Sequence, residues 1–116
     1  MWSIRTTDQF DRELKRYGKK RPSELGAVLH NLKRYHDLLN ESKHPRLVQA
    51  GFMHSESMGI IAIDQKGGGS GLQETRLYTF ADDTTRTLWL ITLGNKQTQN
   101  ADIQTSRKFV ASLPPP

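Results

Sequence analysis

The sequence predicts an α+β fold: an N-terminal helical hairpin packed on a twisted antiparallel β-sheet of about four strands, with a C-terminal helix. Three observations carry this. Apolar residues recur at helical spacing as far as residue 39; from residue 47 they alternate with the period of strands; and the chain closes with one more helical segment stopped by prolines. At 116 residues the chain can bury one hydrophobic core but not two, so residues 1–116 are read as a single domain.

Residues 2–6 read as a short first strand, and Thr7 or Asp8 as the cap of a helix that carries Phe10, Leu14 and Tyr17 on one face and stops at Gly18. Lys19-Lys20-Arg21 is a basic turn. Pro22 suits the first position of a second helix, where its missing N–H would have no partner anyway. Leu25, Val28, Leu29, Leu32, Tyr35 and Leu39 then form one continuous apolar stripe. Residues 40–45 end that helix, because Asn, Ser and the residue ahead of a proline disfavour helical backbone.

Residues 47–53 and 58–64 read as strands around His54-Ser55-Glu56-Ser57, and 72–80 and 87–93 as a hairpin around 81–86. Between them, Lys66-Gly67-Gly68-Gly69-Ser70-Gly71 is expected to be a mobile loop, since four glycines in six residues carry a large backbone entropy. It is either a passive connection or a gate. The last helix begins near Asn100 or Ala101 with Asp102 at its positive end. It buries Ile103, Phe109 or Val110, and Leu113, before three prolines stop it.

Composition narrows the function classes. Without cysteine there is no disulfide framework, thiolate zinc site or cysteine nucleophile, which suits a reducing, cytoplasmic setting. No basic start leads into an apolar stretch and nowhere do 18 apolar residues run together, so neither secretion nor membrane insertion is expected. There is no Walker loop, no GxGxxG opening a helix and no GxSxG elbow, and His30, His36, His44 and His54 lack HExxH-type spacing. No cofactor and no metal are therefore expected. Residues 1–46 hold eleven Lys/Arg against six Asp/Glu, whereas 47–116 hold six of each, so the net +5 lies wholly in the first part. Such a surface attracts polyanions by counterion release, unless the cations merely solvate helix faces.

Two segments can carry chemistry. Glu74, Arg76 and Tyr78 alternate along one expected strand and so share a face: a proton acceptor, a phosphate-binding fork and a phenol that orients or stacks. The plainer alternative is a cross-strand salt bridge with Tyr78 half-buried. In the second segment, an apolar strand stops at Gly94 and delivers Lys96 and several amides, including Gln99, to a strand end. Lys96 offers charge to a phosphate, or is an exposed lysine in a polar turn. His54 is the one histidine beside the strands and serves as acid or base near neutral pH, or as an ordinary turn residue. Lys66 and Arg46 are the further cations assigned to a polyanion.

The order of elements, the strand Glu74-Thr75-Arg76-Leu77-Tyr78-Thr79-Phe80 and the K-x-x-Q segment from Lys96 to Gln99 after an apolar strand resemble RelE- and HigB-like toxins of type II toxin–antitoxin systems. The resemblance spans roughly residues 2–112 and is most specific over 72–103. It implies metal-independent cleavage of mRNA at the ribosome, inhibition of translation, and a cognate antitoxin as partner. The ribose 2′-OH attacks the adjacent phosphate, which requires a proton acceptor and groups that stabilise charge on phosphate oxygens. Carried over by position, Arg76 and then Lys96 stabilise that charge, Glu74 or His54 is the base, and Tyr78 and Gln99 orient RNA; Lys66 and Arg46 are expected as further RNA contacts. The chain departs from the family in lacking a Lys-x-Lys pair on its second strand and a Tyr or His after its fourth. That leaves open a ParE-like toxin that inhibits DNA gyrase without cutting RNA, and a non-toxic basic RNA-binding module.

Overall fold

The computed structural model describes residues 1–69 and 71–115. The elements run β1 (Ser3–Thr6), α1 (Asp8–Lys20), α2 (Pro22–Glu41), β2 (Met53–Ser55), β3 (Ile60–Asp64), β4 (Thr75–Asp82), β5 (Thr87–Asn95) and α3 (Gln99–Ser112). Short 3-10 turns occupy Pro45–Leu47 and Ser57–Gly59. The fold class is α+β as expected, but the sheet has five strands in the order β1-β5-β4-β3-β2 and is mixed. Strands β2 to β5 pair antiparallel, and β1 lies parallel to β5 at the edge.

Helix α1 begins where the Thr7 hydroxyl accepts from the Phe10 N–H at 3.0 Å, a cap that stabilises by about 1 kcal/mol. The same hydroxyl donates to the Ile91 carbonyl at 2.6 Å. Ile91 is the extra residue of a bulge, because Tyr78 faces Thr92 while Thr79 faces Leu90. The helix does not end at Gly18 but continues to Lys20. An interior glycine costs a helix only about 1 kcal/mol, whereas Pro22 excludes helical backbone from the residue before it, and Arg21 sits at φ −142°.

Residues 47–53 are not a strand for most of their length. Pro45 opens a 3-10 turn, Val48 and Phe52 are buried, and pairing begins only at Met53. Strand β3 starts at Ile60 rather than 58 because Met58 and Gly59 both have left-handed backbone, φ 62° and 78°. The glycine-rich loop is tied down at its first half: the Asn31 amide donates to the carbonyls of Asp64 at 2.9 Å and Lys66 at 3.1 Å. Gly68 packs so near Ala27 that a Cβ there would stand 2.5 Å from the alanine's own. Ser70 lies outside the described residues.

Two layers cover the sheet. The stripe of α2 (Val28, Leu32, Tyr35, Leu39) and Phe10 and Tyr17 of α1 pack on Ile63, Leu77, Leu88 and Leu93. On the opposite face α3 lays Ile103 and Val110 over Ile60, Ala62 and Tyr78, and Phe109 meets Trp89 edge-on with centroids 5.1 Å apart. Among the described residues no helix is long and apolar enough to cross a membrane.

Candidate active site

His54 lies opposite Ala62, Ala62 opposite Tyr78, and Asp64 opposite Arg76. Opposed residues of a pleated sheet project to the same side, and Ala62 and Tyr78 face α3, so His54, Asp64 and Arg76 stand on that face too. His54 Nε2 is 2.6 Å from Asp64 Oδ2, and the Lys66 N–H donates to Asp64 Oδ1 at 2.8 Å. A carboxylate only accepts, so Nε2 carries the ring proton and Nδ1 is the basic atom. The histidine side chain is 36% exposed against 16% for the aspartate, so the ring is the more accessible member of the pair.

Arg76 is placed beside this pair but is not bare. Its Nε donates to Glu74 Oε1 at 2.7 Å, its Nη1 is 3.9 Å from Glu56 Oε1, and its side chain is 16% exposed. Glu74 precedes β4 and turns back onto the guanidinium. The Ser57–Gly59 turn that follows Glu56 is fixed to α3, where Arg107 Nε donates to Ser57 Oγ at 2.7 Å. Glu74 and Arg76 are thus in contact and Asp64 stands opposite Arg76 in the sheet, with the guanidinium already neutralised by carboxylates.

Tyr78 corrects the expectation of an RNA contact. Its ring is wholly buried under α3 and its hydroxyl has no hydrogen-bond partner among the described residues, so no base can stack on it. Burial pushes this phenol well above its ordinary pKa. Next to it in the layer, Asp102 of α3 is buried over Gly94 and accepts from Thr98 Oγ1 at 2.7 Å. Burial raises this carboxyl above its ordinary pKa, opposed by the Thr98 hydrogen bond.

The remaining expected residues divide. Lys96 is exposed just past β5 and shares a recess of about 670 Å³ with Arg21, Gln73, Glu74, Asn95 and Gln97, so it reaches the Glu74 side of the site. Lys66 is exposed beyond Asp64, and Gln99 is the partly buried first residue of α3. Arg46 belongs elsewhere. It lines a separate groove with Tyr35, Val48, Met53 and Phe80, apart from the recess that holds Lys96. Among the described residues no group of three or more His, Asp or Glu side chains is arranged to hold a metal ion.

Asp64 and Glu56 were not singled out from the sequence. Asp64 was legible in principle: with Ile60 and Ala62 it alternates onto one face of β3, and a carboxylate at the end of such a strand is unusual. Glu56 becomes visible only through the turn that swings it toward β4.

No family model matches the sequence, and no curated protein matches it. The fold is similar to that in a crystal structure of a metal-bound toxin from Helicobacter pylori, with a TM-score of 0.57 and 22% identity over 84% of this chain and 97% of that one. The likeness is one of fold.

Proposed function

We propose that the protein is the toxin of a type II toxin–antitoxin system, an mRNA endoribonuclease that acts with the ribosome in the cytoplasm and is restrained by a cognate antitoxin. The carrying observation is the His54–Asp64 pair on the face that also holds Arg76, on a fold shared with a toxin. In this reading Nδ1 of His54 takes the proton from the ribose 2′-OH, and Asp64 keeps the ring oriented and stabilises the imidazolium that forms. The 2′ oxygen bonds to phosphorus as the bond to the 5′ oxygen breaks, the departing oxygen takes a proton from water, and the imidazolium returns its proton to solvent to restore the base. Arg76 meets the non-bridging oxygens as a phosphate displaces Glu74 from its Nε edge.

Induction in cells, scored for growth and for transcript cleavage, tests this. His54→Ala is expected to lower cleavage on the order of a hundredfold or more, and Arg76→Ala on the order of a hundredfold to a thousandfold, with the protein still folded. Asp64→Asn should lose less, since it keeps an acceptor for the ring. Undiminished toxicity of folded His54→Ala refutes the assignment.

The neutralisation of Arg76 by Glu74 and Glu56 favours a second reading, a ParE-like toxin that inhibits DNA gyrase without chemistry of its own. Loss of gyrase-dependent supercoiling on induction, with transcripts intact, would select it.

A further inference from the structure

The surroundings of the candidate active site are poorly suited to attract a polyanion. Around Arg76 stand Glu56, Asp64 and Glu74, and two of these carboxylates already engage the guanidinium that would have to meet a phosphate. If an RNA strand is to lie there, its binding energy must come from elsewhere on the molecule, as remote contacts commonly sustain reacting centres.

Such a place adjoins it. The recess that contains Glu74 and Lys96 also contains Arg21 and Asn95, and both of these line a second recess, of about 260 Å³, with Arg16, Tyr17, Lys20 and Thr98. The turn between α1 and α2 and the turn between β5 and α3 thus face each other across one continuous groove. Its cations are Arg16, Lys20, Arg21 and Lys96, and its one carboxylate, Glu74, is already engaged by Arg76. Arg16 is paired with Glu13, whereas Lys20, Arg21 and Lys96 have no ion-pair partner among the described residues. The rest of the lining is Tyr17 and the amide and hydroxyl side chains of Gln73, Asn95, Gln97 and Thr98.

We infer that this groove binds the ribose–phosphate backbone of single-stranded RNA and leads it to the His54–Asp64 pair, an inference that rests on the nuclease reading for its direction but not for the binding itself. Unpaired cations separated by neutral amides suit a chain of phosphates with sugar hydroxyls between them. An acidic protein segment is the other polyanion to consider; the alternation of separate cations with neutral amides favours the sugar–phosphate chain. The hairpin tip thereby accounts for part of the excess positive charge of residues 1–46.

The test is salt-dependent binding of a 2′-O-methyl RNA oligonucleotide, which cannot be cleaved by 2′-OH attack. It compares the wild-type chain, the triple variant Lys20→Gln/Arg21→Gln/Lys96→Gln, and a control that removes equal charge elsewhere, Lys33→Gln/Lys43→Gln/Lys108→Gln. All six residues lie at the surface, and circular dichroism checks that each variant is folded. Each lost phosphate contact flattens the slope of log K against log salt by about 0.7, so the groove triple should lose about 2 and the control much less. Equal losses in both triples, or an unchanged slope in the groove triple, overturn the inference. Polyglutamate competing for the groove more strongly than RNA also overturns it, in favour of an acidic segment. A wild-type chain that cuts no transcript while the groove triple still loses RNA affinity defeats the nuclease reading and leaves the binding groove standing.

Discussion

Gly94→Ala probes the contact that joins α3 to the sheet. Gly94 lies in β5 directly opposite Arg76, and it is outside the left-handed region, so alanine meets no backbone objection. The objection comes from the layer above. A Cβ at this position would stand 2.0 Å from Asp102 Oδ2 and 2.3 Å from Thr98 Oγ1. Neither atom is the loose end of a long side chain, because Asp102 is buried and hydrogen-bonded to Thr98, and Thr98 Oγ1 also accepts from the Asn95 N–H at 3.0 Å. Overpacking costs about 1–3 kcal/mol, and breaking a hydrogen bond to a charged group about 1.5–3 kcal/mol. Replacing a strand glycine returns roughly 0.5–1 kcal/mol of backbone entropy. The net loss should be about 1.5–5.5 kcal/mol, or a fall in Tm on the order of 10 °C or more. Urea denaturation measures it. Asp102→Ala removes the nearer of the two obstructions and releases Thr98 Oγ1 from its acceptor, so Gly94→Ala should cost less in that background, and the double-mutant cycle should show coupling. A single variant within about 0.5 kcal/mol of wild type, or additive effects in the cycle, would refute the steric argument.

Other perturbations have equally definite signs. Tyr78→Phe deletes a buried hydroxyl that has no partner among the described residues, so stability to urea should stay level or rise by about 1 kcal/mol, with toxicity unchanged; a clear loss of either would restore a role for that hydroxyl. Asn31→Ala removes the donor shared by the Asp64 and Lys66 carbonyls, should cost about 2 kcal/mol by the same measurement, and should lower RNA cleavage because the strand end holding Asp64 loosens. Because burial raises the Asp102 carboxyl above its ordinary 3.8, the folded chain keeps that proton to a higher pH than the unfolded chain does. Its contribution to stability is thus lost as pH rises through that window and is flat above it. Asp102→Asn should therefore gain on wild type between about pH 4 and the raised pKa and hold the gain to neutrality; a gain that shrinks with rising pH would reverse the assignment. Glu24 has the opposite sign, since the Gln73 N–H holds its carboxyl below the usual range, and Glu24→Gln should lose ground to wild type as pH rises through the acid range.

Those elements whose formation depends on neighbours in sequence were legible. The α2 stripe, the Thr7 cap, the start at Pro22 and the alternation of β4 and β5 are local patterns, and the structure has them close to where they were expected. Boundaries failed where a tertiary or steric term outweighed propensity. Gly18 weakens α1 less than Pro22 stops it, and Met58 and Gly59 trade strand geometry for a turn. The parallel placement of β1 against β5 left no local trace, because it depends on an edge left free by residues 87–95, more than eighty positions away.

The same distinction divides the site. Alternation along one strand correctly put Arg76 and Tyr78 on one face, but it cannot say what lies above that face. The helix α3 covers Tyr78 and leaves the Asp64 end of β3 uncovered, so the phenol became core and the uncovered end became the candidate centre. Charge behaved likewise. The excess of cations in residues 1–46 was countable, yet whether a cation is available depends on carboxylates that arrive from other strands. Arg76, the residue most expected to be free, is met by Glu56 and Glu74, while Lys20 and Arg21, read only as a turn, line the groove beside Lys96 with no ion-pair partner among the described residues. A centre rich in carboxylates holds its base oriented but repels a phosphate chain, and a groove of unpaired cations does the reverse. Placing the two side by side, on the turns that close opposite layers of the sheet, lets one short chain supply both.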